Sequence, residues 1–206
     1  VDADATTSAL EQAITSWASD AQSLVLYLVD HGGSGTFRMS GNETLAAAEL
    51  DAWIDDLQNS AATEVAVVYD ACRSGSFLSS LIPPAGAERF VVTSTAADET
   101  AKFVSSGTIS FSNFFWTHIF NGLDMAAAFE LTSQALTSSV TGQHPFVDAD
   151  GDGAGNEAED LSALNGRYIG NGTLIQGDAP VIASAGSDPQ TITDANTAVL
   201  RASGVT

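Results

Sequence analysis

Two apolar runs, each halted by a small polar cluster, constrain this chain more than any other feature. Leu24 to Val29 reads LVLYLV and stops at Asp30-His31-Gly32-Gly33-Ser34-Gly35. Val65 to Tyr69 reads VAVVY and stops at Asp70-Ala71-Cys72-Arg73-Ser74-Gly75-Ser76. Short, rich in β-branched residues and uninterrupted by charge, such runs read as buried strands of a parallel sheet. In open α/β sheets, ligands and catalytic groups collect just past the carboxyl ends of the strands. With the two strands as parallel neighbours, His31 and Cys72 emerge side by side at that edge, and Cys72 is the sole cysteine of 206 residues. A thiol beside an imidazole is an activated nucleophile, because the base draws off the proton and the thiolate attacks. The glycines after His31 let a substrate backbone approach closely. Alone, a cysteine is usually a small buried hydrophobe and a histidine a hydrogen-bonded loop residue. Finding both at the ends of two such strands reverses those readings.

Helical patterns alternate with the strands. Thr6 to Asp20 carries Leu10, Ile14, Trp17 and Ala18 at helical spacing behind Thr7 or Ser8 as cap. Thr44 to Gln58 sets Leu50, Trp53, Ile54 and Leu57 on one face, leaving Asp51, Asp55 and Asp56 as a solvated face. Phe37-Arg38-Met39 reads as a hairpin arm between them. Arg73 to Leu81, ended by Pro83-Pro84, is expected to be a helix, and Glu88 to Ser94 a third strand. Ser112 to Asn121 and Leu123 to Val140 are further helices, with Phe114, Phe115, Trp116, Ile119 and Phe120 as core. This order predicts right-handed crossovers and a central, mostly parallel sheet in an α/β domain.

The two blocks together resemble the His and Cys motifs of the caspase-like (clan CD) cysteine peptidases, and within them are most similar to the legumain family, including its bacterial secreted members. The resemblance runs from about Leu10 to Tyr168. It implies a three-layer caspase-like sandwich and a cysteine endopeptidase in which Cys72 is the nucleophile, His31 the base, and the N–H groups of Gly32 and Cys72 the oxyanion hole. It also implies that Asp70 lines the specificity pocket, with Asp98 and Ser110 on its walls and Ser112 either a wall or a helix cap. An acidic pocket wants an amide donor or a cation, so cleavage after Asn or a basic residue is expected. Legumain-like domains begin with a further strand and helix whose Asn orients the histidine; no residue here matches that Asn. The strand then comes from a separate chain or segment, or was cut away, or the site works as a dyad. Two other readings use the same residues: a catalytically silent, calcium-stabilised adhesion or scaffold module, and a transpeptidase or ligase.

Charge excludes some partners. With 26 acidic against 6 basic residues the net charge is −20, which argues against nucleic acid and an anionic membrane surface. No run approaches the roughly 20 apolar residues of a membrane helix. Protein or peptide substrates and a secreted or cell-surface setting, bacterial or archaeal, are expected. The chain begins at Val1 without a signal peptide and reads as a fragment or a processed product.

Asp148-Ala149-Asp150-Gly151-Asp152-Gly153-Ala154-Gly155-Asn156-Glu157-Ala158-Glu159 fits the calcium-loop pattern in every slot. Asp148, Asp150, Asp152, the Ala154 carbonyl, a water held by Asn156, and Glu159 are the expected ligands of a structural Ca2+. Pro145 argues against an entering helix, so the loop is an isolated one on the domain, expected to pin a strand-like Tyr168-Ile169. The domain is read as residues 1–175. Residues 176–206, rich in Gly, Ala, Ser, Thr and Asp, read as a linker and the start of a β-sandwich module.

Overall fold

In the computed structural model, which describes residues 3–170 together with 184–188 and 199–203, Thr6 caps the first helix. Its hydroxyl accepts the Ala9 N–H at 3.2 Å, and α1 spans Thr7–Gln12. The run continues as a π-helical turn, Ala13–Trp17. The wider turn rotates the apolar stripe. Ile14 and Ala18 stay buried, whereas Trp17, expected on the core face, is 78% exposed. The chain then forms β1 (Ser23–Val29), β2 (Gly32–Gly33), β3 (Thr36–Arg38), β4 (Thr44–Ala46), α2 (Ala47–Ser60) and β5 (Glu64–Asp70). A 3₁₀ helix (Ser74–Ser80), β6 (Arg89–Thr93), α3 (Phe111–Phe120), α4 (Met125–Ser139), β7 (Phe146–Asp148) and α5 (Ala158–Leu164) follow.

The central sheet has the order β1-β5-β6-β7, with the first three parallel and β7 antiparallel to β6. Alternate residues of β5 face opposite layers. Val65, Val67 and Tyr69 join Ile14, Leu50, Ile54, Leu57 and Phe77 in one core. Ala66 and Val68 join Phe111, Phe115, Phe129 and Leu136 in the other. The result is an α/β domain with the central, mostly parallel sheet that the order of elements predicts, covered on both faces as the resemblance implies. No described helix is long and apolar enough to cross a membrane.

Several expectations are corrected. The run Leu24 to Val29 is not buried on both faces: among the described residues β1 pairs with β5 alone, and Val25, Tyr27 and Val29, on one face, are 39%, 41% and 42% exposed. Phe120, read as core, is 77% exposed at the end of α3. Thr44–Ala46 is not the start of α2 but the third strand of a small antiparallel sheet with β2 and β3. The segment after Cys72 is a 3₁₀ rather than an α-helix. Arg73 is left-handed (φ 60°), and the Ser74 and Gly75 N–H groups donate to Thr95 Oγ1 and the Thr95 carbonyl at 3.0 Å each. Asp51 and Asp55 are not merely solvated; they hold the fully buried guanidinium of Arg89 at 2.7 and 2.6 Å, with Gln58 Oε1 accepting from Nε at 3.0 Å. This clamp ties α2 to β6.

Tyr168-Ile169 forms no strand. The anchor there is Arg167, which pairs with Glu64 and Glu88 at 2.8 and 2.5 Å and lies over the Phe90 ring. The chain divides into two units, Val1–Gly172 and Thr173–Thr206. In the second, Ser184–Asp188 (β8) and Val199–Ser203 (β9) pair antiparallel. The remainder of the reading of 176–206 as linker and module lies outside the described residues.

Candidate active site

The register between the two strands brings the site together. β1 and β5 are parallel from Ser23↔Glu64 to Val29↔Asp70, so His31 and Cys72 each follow two residues past the last pair, at the same sheet edge. His31 is exposed and Cys72 half-buried, with no hydrogen bond between imidazole and thiol among the described residues. Catalytic hydrogen bonds often form only when substrate is bound. The His31 backbone is fixed: its carbonyl accepts the Arg38 N–H at 2.9 Å, and its N–H donates to Asp30 Oδ1 at 2.6 Å. Beside it a cavity of about 370 Å³ is lined by His31, Gly32, Gly33, Thr36, Arg38 and Thr44 among others.

Gly32 packs directly on the Cys72 loop. A Cβ there would lie 2.3 Å from the Cys72 carbonyl oxygen and 2.6 Å from the Tyr69 hydroxyl, so only glycine fits. The Cys72 N–H makes no hydrogen bond among the described residues and is a free donor at the site. Behind it the loop is rigid. Buried Ser74 Oγ accepts the N–H groups of Ser94 and Thr95 at 3.1 Å each, and the Arg73 N–H donates to the Glu99 carbonyl at 2.8 Å. Ser76 Oγ accepts the Gly35 N–H at 2.9 Å and donates to the Arg73 carbonyl at 2.6 Å, joining the His31 side to the Cys72 side.

Asp70 is 1% exposed. Its Oδ2 accepts both the N–H and the hydroxyl of Ser112, at 3.0 and 2.5 Å; its Oδ1 is buried without a partner. Burial pushes this carboxyl above its ordinary value, against the opposing pull of the Ser112 and Ser94 hydroxyls. Ser110, read as a pocket wall, caps α3: its Oγ accepts the Asn113 N–H at 3.2 Å and donates to the Gly107 carbonyl at 2.9 Å. Ser112 is therefore not the cap but the residue that reaches Asp70. Asp98 is exposed and makes no hydrogen bond among the described residues, whereas its neighbour Glu99 is engaged. The Glu99 carboxylate takes the His144 N–H at 2.7 Å and His144 Nδ1 at 2.5 Å, stapling the loop after β6 to the segment before β7. Burial raises the Glu99 carboxyl, but the His144 bonds outweigh it and hold the group below its usual range.

In the acidic loop, one oxygen each of Asp148, Asp150 and Asp152 lie within 4.8 Å of one another. Asp148 is buried, and burial first, then Asp160 and Asp150, push it up to about 6. Asn156 is turned away from this group: its Oδ1 accepts the Val147 N–H and its Nδ2 donates to the Pro145 carbonyl, each at 3.0 Å. Glu159 is exposed in the first turn of α5, outside the three-carboxylate group. Glu157 is the further carboxylate that feels the cluster, raised chiefly by Asp152. Asp160, not singled out by the sequence pattern, is fully buried and accepts N–H groups from Ala149 and Glu157 at 2.7 and 2.8 Å. The loop rests on the segment after Cys72: added Cβ atoms at Gly151 and Gly153 would meet Pro83 and Ile82 at 2.7 and 2.9 Å.

A family model described as the peptidase C13 family matches residues 2–136, a span that holds both strand-end blocks and stops short of the acidic loop. No curated protein matches the chain.

Proposed function

Since the chain belongs to the peptidase C13 family of caspase-like cysteine peptidases, we propose that it is an endopeptidase that cleaves after Asn or a basic residue using Cys72 and His31. Family membership supports cysteine peptidase activity on protein or peptide substrates. The observation that carries the residue roles is the Val29↔Asp70 register, which delivers the sole thiol and His31 to one edge. His31 takes the Cys72 proton, and the thiolate attacks the scissile carbonyl carbon. The resulting oxyanion meets the N–H groups of Gly32 and Cys72. His31 then returns the proton to the leaving amine as the C–N bond breaks, leaving a thioester. Water, deprotonated by His31, hydrolyses it and frees Cys72. The preference before the cut is inferred from Asp70, a carboxylate two residues before Cys72 with no cation paired to it among the described residues, whose charge favours an amide donor or a cation. A peptide-library profile dominated by Asn, Arg or Lys before the cut is expected; one dominated by Asp or large apolar residues refutes the preference.

Two further roles belong to this reading. The outer edge of β1, seven residues without a charge and half-open on one face, accepts an added strand from a separate segment. The acidic loop would hold a structural Ca2+ on Asp148, Asp150 and Asp152, the three carboxylates brought within 4.8 Å of one another. Because the loop rests on Ile82 and Pro83, the three carboxylates, once neutralised by such an ion, would steady the segment after Cys72. Chelation is expected to lower the melting temperature by several degrees, the scale set by about 1–3 kcal/mol of linked stability. An unchanged melting curve in excess chelator rejects the ion.

A further inference from the structure

The Asp70 carboxylate is not held by its own loop but from across the sheet. Ser112, the second residue of α3, gives Oδ2 both its N–H and its hydroxyl, at 3.0 and 2.5 Å. The Ser112 oxygen in turn accepts the hydroxyl of Tyr27 at 2.7 Å. Tyr27 lies on the half-open face of β1, its ring set edge-on against Trp116 at 5.1 Å. A chain of two hydroxyls thus runs from the surface of β1 to a buried carboxylate two residues before the nucleophile. No cation pairs with Asp70 among the described residues; the groups facing it are Ser112 on α3, Ser94 after β6 and, through Ser112, the Tyr27 phenol.

Burial opposes the ionised carboxylate, and hydrogen bonds to the charged form oppose burial. Ser112 binds only Oδ2, so it also fixes the plane of the group, with the Ser94 hydroxyl the other polar group facing the buried carboxyl. Chained hydroxyls polarise one another, so the Tyr27 hydroxyl strengthens the Ser112 bond it feeds. We propose that Tyr27 and Ser112 are positioning residues that keep Asp70 ionised and its carboxylate fixed in one plane, making the preference for a cationic or amide side chain before the cut depend on a phenol on the open face of β1. This rests on the reading that Asp70 lines the specificity pocket.

The test follows the Asp70 carboxyl by ¹³C NMR across pH in the full chain. Replacing Ser112→Ala should raise its midpoint by about one to two pH units, the loss of one hydrogen bond to a charged acceptor. Tyr27→Phe, isosteric and half-exposed, should raise it by a few tenths of a unit, and Ser112→Thr should restore it. The rate at which a peptide electrophile with Arg before its warhead labels Cys72 should fall on the acid side with the same midpoints. Coincident midpoints in the wild type, Tyr27→Phe and Ser112→Ala overturn the relay. Asp70→Asn separates the two levels. Where it changes the Arg-over-Asp labelling ratio while the relay variants leave the midpoint unmoved, the pocket reading stands and the relay falls; where it leaves that ratio unchanged, the pocket reading fails and takes the relay with it.

Discussion

At Gly32 a single methyl group decides whether the site can exist. Its Cβ would sit 2.3 Å from the Cys72 carbonyl, and the Cys72 loop cannot retreat because Ser74 and Thr95 lock it from behind. Gly32→Ala is expected to slow labelling of Cys72 by roughly 100-fold or more, the cost of a misplacement near 1 Å. Labelling at the wild-type rate would show that the two loops do not meet. Glu99 gives a pH signature. Its carboxyl is held below the ordinary value, so the stability it contributes is present above about pH 4.5 and is lost as pH falls through the folded value. In Glu99→Gln that acid-side loss should shrink, read as a flatter melting temperature between about pH 5 and 3. The residues legible in the sequence, His31, Gly32, Asp70 and Cys72, sit in two local motifs. The contacts missed are made by distance: Glu99 meets His144 45 positions on, and Ser112, read as a wall or a cap, meets Asp70 across 42. Asp160 stands one place after the pattern's final slot and was hidden by it.

Elements were legible where one period rules. β5 and β6 are buried on both faces and their apolar runs say so, while the π turn at Ala13–Trp17 breaks the 3.6 period and throws Trp17 outward. The acid stripe of α2 reads as solvated because its partner, Arg89, belongs to another element. That clamp is the joint between α2 and β6. Arg89→Ala leaves Asp51 and Asp55 facing each other over a cavity, and should cost about 3 kcal/mol in urea unfolding. A loss under about 1 kcal/mol would mean the two partly exposed aspartates are served as well by water.

Over the whole molecule, 26 acidic residues face 6 basic ones, and among the described residues Arg89 and Arg167 are already paired. Self-repulsion therefore weakens the folded state, and its melting temperature should climb as sodium chloride rises from about 10 to 300 mM; a flat or falling curve would contradict this. The parallel sheet and the edge that gathers His31, Gly32 and Cys72 were both foreseeable from alternating strands and helices. The half-open face of β1 was not, because LVLYLV looks the same whether or not a neighbour covers it. The proposed nucleophile is Cys72, activated by His31. A peptide electrophile with Asn before its warhead, followed by mass spectrometry of the intact chain, tests it most directly. One adduct per chain on the Cys72 peptide at neutral pH is predicted, absent in Cys72→Ala and slowed about 100-fold or more in His31→Ala. Equal labelling with and without His31, or none on the native chain, would contradict it.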